Sequence, residues 1–197
     1  MTIDACFEKI SQYADDDGVI IPYRKTATSA GYDFYAAEDI VIPSWETLVN
    51  DQLATAVGQH KNEFNSIDDW MDKELPLTLD KASQYIKEAK SKVTLVPTGI
   101  KCKMPEDYYL QLSVRSSLPL KHWLILGNGV GIIDSDYYNN PDNEGHIYFQ
   151  LINLLPVPVK IQKGECFGQG ILLPYATCAN ESNDFKAREG GFGSTNV

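Results

Sequence analysis

An all-β fold of the barrel or jelly-roll kind is predicted by three observations. Short runs rich in β-branched and aromatic residues recur along most of the chain, and Gly, Pro, Asn or Asp bound each of them. A helical period is confined to residues 3–14 and 45–91.

In chain order, Ile3, Cys6, Phe7, Ile10, Tyr13 and Ala14 stand at steps of three and four, which predicts a short amphipathic N-terminal helix ended by Asp15-Asp16-Asp17-Gly18. Val19 to Tyr23 reads as a buried strand bounded by proline. Further strands are predicted around residues 32–42, 93–101, 108–114, 124–134, 146–154, 157–162 and 166–174. Between them, residues 45–91 carry three helical stripes. The first, Trp45, Leu48, Val49 and Leu53, starts after Ser44, and the second, Ile67, Trp70 and Met71, starts after Ser66. The third, Ala82, Tyr85, Ile86 and Ala89, follows Asp80. This helical insertion is expected to pack on the barrel rim; a protein partner's docking surface is the alternative. The chain, residues 1–197, reads as one domain with that insertion and a flexible C-terminal arm at 186–197.

A net charge of −10 argues against a general nucleic-acid binder, because phosphate-backbone affinity is built from clustered Lys and Arg. No apolar run approaches a membrane span, and the start lacks a basic region followed by an apolar core, so a cytoplasmic location is expected. Cys6, Cys102, Cys166 and Cys178 are scattered with no Cys-x-x-Cys, and His60, His122 and His146 show no metal-ligand spacing. Only three arginines occur: Arg24, Arg115 and Arg188. Arg suits bidentate contacts to phosphate, so these three are either reserved for specific places or ordinary surface residues.

Residues 127–137, Gly-Asn-Gly-Val-Gly-Ile-Ile-Asp-Ser-Asp-Tyr, are the most informative stretch. Its glycines allow positive φ and close approach to a ligand, and Asp134 emerges from an apolar strand with Tyr137 three residues on. That suits a general base beside a stacking platform; a Gly-rich hairpin whose acids cap a turn is the plain alternative. Four other segments join it: Ser29 to Phe34, with Asp33 two residues after Gly31; Ser113-Val114-Arg115-Ser116-Ser117, whose cation and hydroxyls can donate to phosphate oxygens; Lys163 to Gly170; and Arg188 to Thr195. The last is either a frayed tail or an arm that orders over a nucleotide, with Phe192 as a stacking face.

Together and in this order, the five segments resemble the homotrimeric dUTPases, the deoxyuridine triphosphate nucleotidohydrolases, from about Ile20 to the C-terminus excluding the insertion. The resemblance implies a distorted jelly-roll barrel, a homotrimer with shared active sites, and hydrolysis of dUTP to dUMP and pyrophosphate. It implies that Asp134 activates the attacking water, that Tyr137 packs on the deoxyribose and leaves no room for a 2′-hydroxyl, and that Asn128, Gly131 and Ile133 belong to the uracil pocket. Arg115, Ser116, Ser117 and Gln169 fall where the phosphate chain is held. Asp33 matches an acid that orders Mg²⁺ through water, the metal being chelated by the triphosphate. Phe192 would stack over uracil, while Arg188, Gly193, Ser194 and Thr195 close on the β- and γ-phosphates.

The chain departs from the family pattern at four positions. Asn139 stands where Gly follows the Tyr and opens a longer loop, Asn139 to Gly145; Cys166 replaces an Arg; Arg188 is one residue nearer Phe192; and Asn196 replaces a Gly. Asn tolerates left-handed backbone, so the turn at 139 is expected to survive. Two alternatives remain at this point: a dCTP deaminase of similar fold, or a partner-binding module that uses the helical insertion on a dUTPase scaffold.

Overall fold

The computed structural model describes residues 2–44 and 94–181. The expected helical insertion at 45–91 and arm at 186–197 lie outside the described residues.

Strand β6 (Tyr108–Val114) shows how sequence pattern becomes sheet: Leu110 and Leu112 are buried, while Tyr109, Gln111 and Ser113 between them are only partly covered. It runs antiparallel between β8 (Gly131–Asp134) and β11 (Cys166–Pro174), and β11 also pairs with β2 (Tyr32–Tyr35). The sheet order is therefore β2-β11-β6-β8. Thr94–Pro97 (β4), Tyr148–Asn153 (β9) and Leu124–Leu126 (β7) form a second sheet in the order β4-β9-β7. Two ribbons complete the described strands: Cys6–Lys9 (β1) with Ile100–Lys103 (β5), and Ile40–Ile42 (β3) with Val159–Ile161 (β10). The core lies between these sheets, centred on Phe34, Phe149 and Phe167, whose rings meet at 5.5 and 4.9 Å between centroids.

Strand content is as expected, and β6 and β11 match their predicted bounds. Several details differ. No N-terminal helix forms: Cys6–Lys9 pairs with β5, and Ser11–Tyr13 is a single 3-10 turn (η1). Steps of three and four are satisfied here by a strand followed by a turn, with Phe7 against Tyr32 and Phe34 and with Ile10 and Tyr13 buried. Val19 to Tyr23 is not a strand either. Pro22 has no N–H to donate, and only Tyr23 bridges to Asp33. The predicted strand 93–101 breaks at Gly99, where φ is +70°, into β4 and β5. Among the described residues the strands fall into four separate sheets and no closed barrel forms. A short helix that the strand pattern did not predict, α1 (Ser117–His122), follows β6, with Pro119 in its first turn and Trp123 ending it at φ 52°.

Candidate active site

The segment 124–134, expected as one strand, is two strands that belong to different sheets: β7 pairs with β9 and β8 with β6. The chain crosses from one sheet to the other through Gly127 to Val130. Gly129 takes φ +70° in that turn and its N–H donates to Leu126 O at 3.0 Å, while the Gly127 N–H donates to Gln150 O at 2.7 Å. Gly131 has another reason to be glycine, since a Cβ there would stand 3.0 Å from Leu112 Cβ.

The crossing opens a pocket of about 190 Å³. Asn128, Gly131, Ile133, Asp134 and Tyr137, five of the residues singled out from sequence, line it together. Leu112, Leu126, Ile132, His146, Tyr148 and Gln150 complete the wall and were not anticipated. Tyr148 and Gln150 follow the period-two alternation at the start of β9, with His146 two residues before it, a signal that identifies a shared face but does not say what that face meets.

Asp134 is solvent-exposed at the end of β8, and the 3-10 turn η2 (Ser135–Tyr137) then folds Tyr137 inward until only 5% of it is exposed. The Tyr137 hydroxyl donates to His146 O at 3.0 Å and accepts from Asn143 Nδ2 at 2.8 Å. His146 is itself buried. Its Nε2 accepts the Gly99 N–H at 2.8 Å and its ring lies 3.9 Å from that of Tyr148. Burial pushes the imidazole down to about 4 against a weaker opposing pull from Glu144, so it is neutral at pH 7.

A second cluster gathers the other predicted residues. Gln169 on β11 faces Asp33 on β2 and Ser113 on β6 across the ladder, and its Nε2 donates to Ser113 Oγ at 3.1 Å. The Arg115 backbone N–H donates to Phe167 O at 3.0 Å, which places the guanidinium Nε 3.9 Å from Asp33 Oδ1. Ser116 is exposed and Ser117, half-buried, begins α1. Lys25, missed in the sequence, comes within 4.0 Å of Asp33 Oδ2; its Nζ donates to Tyr23 Oη at 2.8 Å and sits 4.6 Å from the centre of the Tyr23 ring. Cys166 lies in the same cluster, where burial and then the Asp33 carboxylate raise its thiol while Arg115 opposes them. Arg24 is structural, its Nη1 bracing the following loop through Ala27 O and Ser29 O at 2.9 and 3.0 Å.

The two clusters do not meet within one chain. Asp134 pairs with Tyr109 and Gln169 with Ser113, so four residues of β6 separate them, a span of ~14 Å along the strand. No three His, Cys, Asp or Glu side chains converge to hold a metal among the described residues. Asp33 Oδ2 is nevertheless buried with no hydrogen-bond partner, a single acceptor suited to an outer-sphere contact but not to a cage. Asn139, the departure after Tyr137, takes φ 57° as its side chain allows, and its Oδ1 accepts from Lys101 Nζ at 2.7 Å. Arg188, Phe192, Gly193, Ser194 and Thr195 lie outside the described residues. No helix among the described residues is long and apolar enough to cross a membrane.

Known proteins resemble this chain in sequence and fold. The dUTPase family model matches residues 77–196. A deoxyuridine 5'-triphosphate nucleotidohydrolase of Lactococcus lactis is 35% identical over 190 residues, covering 96% of this chain and 95% of that protein. The crystal structure of dUTPase from Streptococcus mutans is 32% identical with a TM-score of 0.61, covering 88% of this chain and 98% of that one. A mutant dUTPase from phage phi11 of S. aureus, described for its coordination of a structural Mg(II) ion, shares the fold at a TM-score of 0.54 and 15% identity, with 92% and 97% of the two chains covered. By the family match and by identity across nearly its full length, this chain belongs to the dUTPase family and is an enzyme of the deoxyuridine 5'-triphosphate nucleotidohydrolase class.

Proposed function

We propose that this chain hydrolyses dUTP to dUMP and pyrophosphate, with Asp134 as the general base. The observation that carries the reading is the pocket at the sheet crossing, which joins Asn128, Asp134 and Tyr137 around one small cavity. Backbone groups of the 127–131 turn would read the uracil edge, and the buried Tyr137 ring would form the sugar wall. The Asp134 carboxylate would take a proton from water, and the hydroxide so formed attacks the α-phosphorus as the bond to the bridging oxygen breaks. Pyrophosphate leaves with that electron pair.

Arg115, Ser116, Ser117 and Gln169 would bind the phosphate chain. Because they lie ~14 Å or more along β6 from Asp134, a complete site needs the pocket of one subunit and the cationic cluster of another, which favours the homotrimer with shared sites. Arg188, Phe192, Gly193, Ser194 and Thr195 would close over the nucleotide as an arm. Mg²⁺ would be held mainly by the triphosphate, with Asp33 reaching it through water. When bound it would supply charge neutralisation of the phosphates.

The test is a panel of deoxynucleoside triphosphates with Mg²⁺, scored for pyrophosphate and for ammonia. Pyrophosphate from dUTP alone is expected, and Asp134→Asn should lower kcat at least 100-fold, as loss of a positioned general base does. Ammonia from dCTP would point instead to a deaminase. Full activity in Asp134→Asn would remove the assigned base.

A further inference from the structure

The loop at 138–145, where the chain leaves the family pattern, is built as a clasp. Asn140 Nδ2 donates to Tyr137 O at 3.1 Å and to Asn143 Oδ1 at 2.8 Å, and Asn140 Oδ1 accepts the Asp142 N–H at 3.0 Å. Asn143 Oδ1 also accepts the Gly145 N–H at 3.1 Å, which leaves Asn143 Nδ2 aimed at the Tyr137 hydroxyl at 2.8 Å. Outside contacts anchor the loop. Glu144 accepts the Ser11 N–H at 3.1 Å, Lys101 Nζ reaches Asn139 Oδ1 at 2.7 Å, and Tyr138 Oη donates to Glu8 Oε2 at 2.7 Å.

Tyr137 carries no covalent constraint beyond its rotamer, so its ring is held by packing and by whatever grips the far end of the side chain. That end is the hydroxyl. It lies between the His146 carbonyl, to which it donates, and Asn143 Nδ2, from which it accepts, and both partners flank the departing loop. Asn140 and Gly145 fix the Asn143 amide so that Nδ2, and not Oδ1, faces the phenol.

We propose that Asn143 is a positioning residue: its amide locks the Tyr137 ring in place as the sugar-side wall of the pocket, and so sets how strictly the site refuses a 2′-hydroxyl. This rests on the reading of Tyr137 as the deoxyribose wall. A hydroxyl gripped from two sides keeps the ring from recoiling to admit an extra oxygen, whereas loss of the Asn143 contact leaves it freer to pivot. Asn143 never touches the nucleotide in this scheme. Its effect is carried wholly by Tyr137.

Three variants test it: Asn143→Asp, which keeps the Oδ1 acceptor for Asn140 and Gly145 but loses the donor; Asn143→Ala; and Tyr137→Phe. Each Asn143 variant should lower the ratio of kcat/KM for dUTP over UTP by about fivefold, the effect of one ordinary hydrogen bond, and Tyr137→Phe, which loses both hydroxyl contacts, by at least as much. Melting temperature should move little in Asn143→Asp. The Asn143→Ala/Tyr137→Phe double variant should be no less selective than Tyr137→Phe alone, because both changes remove the same contact. Additive losses of selectivity, or an unchanged ratio in a folded Asn143→Asp protein, would overturn the proposal. Should wild type fail to turn over dUTP, the functional reading falls and the lock is judged by NMR of labelled tyrosine. Slowed flipping of the Tyr137 ring in wild type, accelerated in Asn143→Asp, supports it; equal flipping rates overturn it.

Discussion

His146 should make the fold acid-sensitive in a window set by its burial. An imidazole that titrates near 6.5 when solvated is pushed to about 4 here, because charging it would place a cation among Tyr13, Tyr148 and the pocket wall. The unfolded chain therefore binds this proton more tightly than the folded one. Its contribution to stability is complete above pH ~6.5, declines as pH falls, and is gone below the folded value near 4. The full gap corresponds to roughly 3 kcal/mol, of which about 2 kcal/mol is lost between pH 7 and pH 5. The assay is urea unfolding of wild type and His146→Gln at pH 5, 6, 7 and 8, at one protein concentration so that subunit association does not shift the midpoint. Gln cannot titrate and offers an amide oxygen to the Gly99 N–H, whereas Ala would leave that buried donor unpaired at a cost of about 1–3 kcal/mol. The stability difference between wild type and His146→Gln should shrink by about 2 kcal/mol from pH 7 to pH 5. Carboxylates common to both proteins cancel in that difference. A difference independent of pH over this range would refute the argument that burial holds His146 neutral.

Two further outcomes follow from packing and charge. Gly168→Ala would drive a methyl into Phe149 Cε1, and that ring is fully buried between Phe34 and Phe167, so we expect a loss of about 1–3 kcal/mol in urea unfolding; an unchanged midpoint would show that the ring can yield. Lys25→Ala should raise KM for dUTP about two- to fivefold with kcat nearly unchanged, and the effect should fade in high salt as an exposed charge is screened; a change confined to kcat would exclude a role in holding phosphate.

Much of the site was legible because its chemistry is local in sequence. Asp134, Ser135, Asp136 and Tyr137 are neighbours along the chain, and a strand that ends in a tight turn must present them together whatever surrounds it. Strands β6 and β11 were legible because each keeps a regular rhythm to a clear stop, with β11 ending at Pro174. Partners chosen at long range were not legible. Whether residues 124–134 make one strand or two strands in different sheets depends on β6 and β9 competing for them, and nothing within the segment encodes that competition. The same holds for His146, Tyr148 and Gln150, which become pocket wall only because β9 runs beside β7. At the N-terminus the error was one of period: six apolar positions over twelve residues fit a helix as well as they fit a strand plus a turn, and hydrogen bonding to β5 decides for the strand.

The charge arrangement around Asp33 gives the Cys166 departure a physical meaning. An arginine there would have stood between Asp33 and Arg115 as a third fixed cation; a thiol raised by burial is neutral, so the compensation passes to Arg115 on one side of Asp33 and Lys25 on the other. Two cations then face one carboxylate, a local excess of positive charge on a protein with a net charge of −10. A triphosphate approaching such a protein is repelled at long range and attracted at this patch, so binding should depend on these two side chains more than contact geometry alone would suggest. Lys25 also differs from an arginine in kind. It is a point charge on a flexible stem, resting on the Tyr23 and Tyr35 rings, and it can swing from Asp33 to a phosphate oxygen without breaking a bidentate pair. A mobile ammonium beside Asp33 supplies charge without fixed geometry, so in the proposed site precise alignment of the phosphates would fall to Arg115 and the serines beside it.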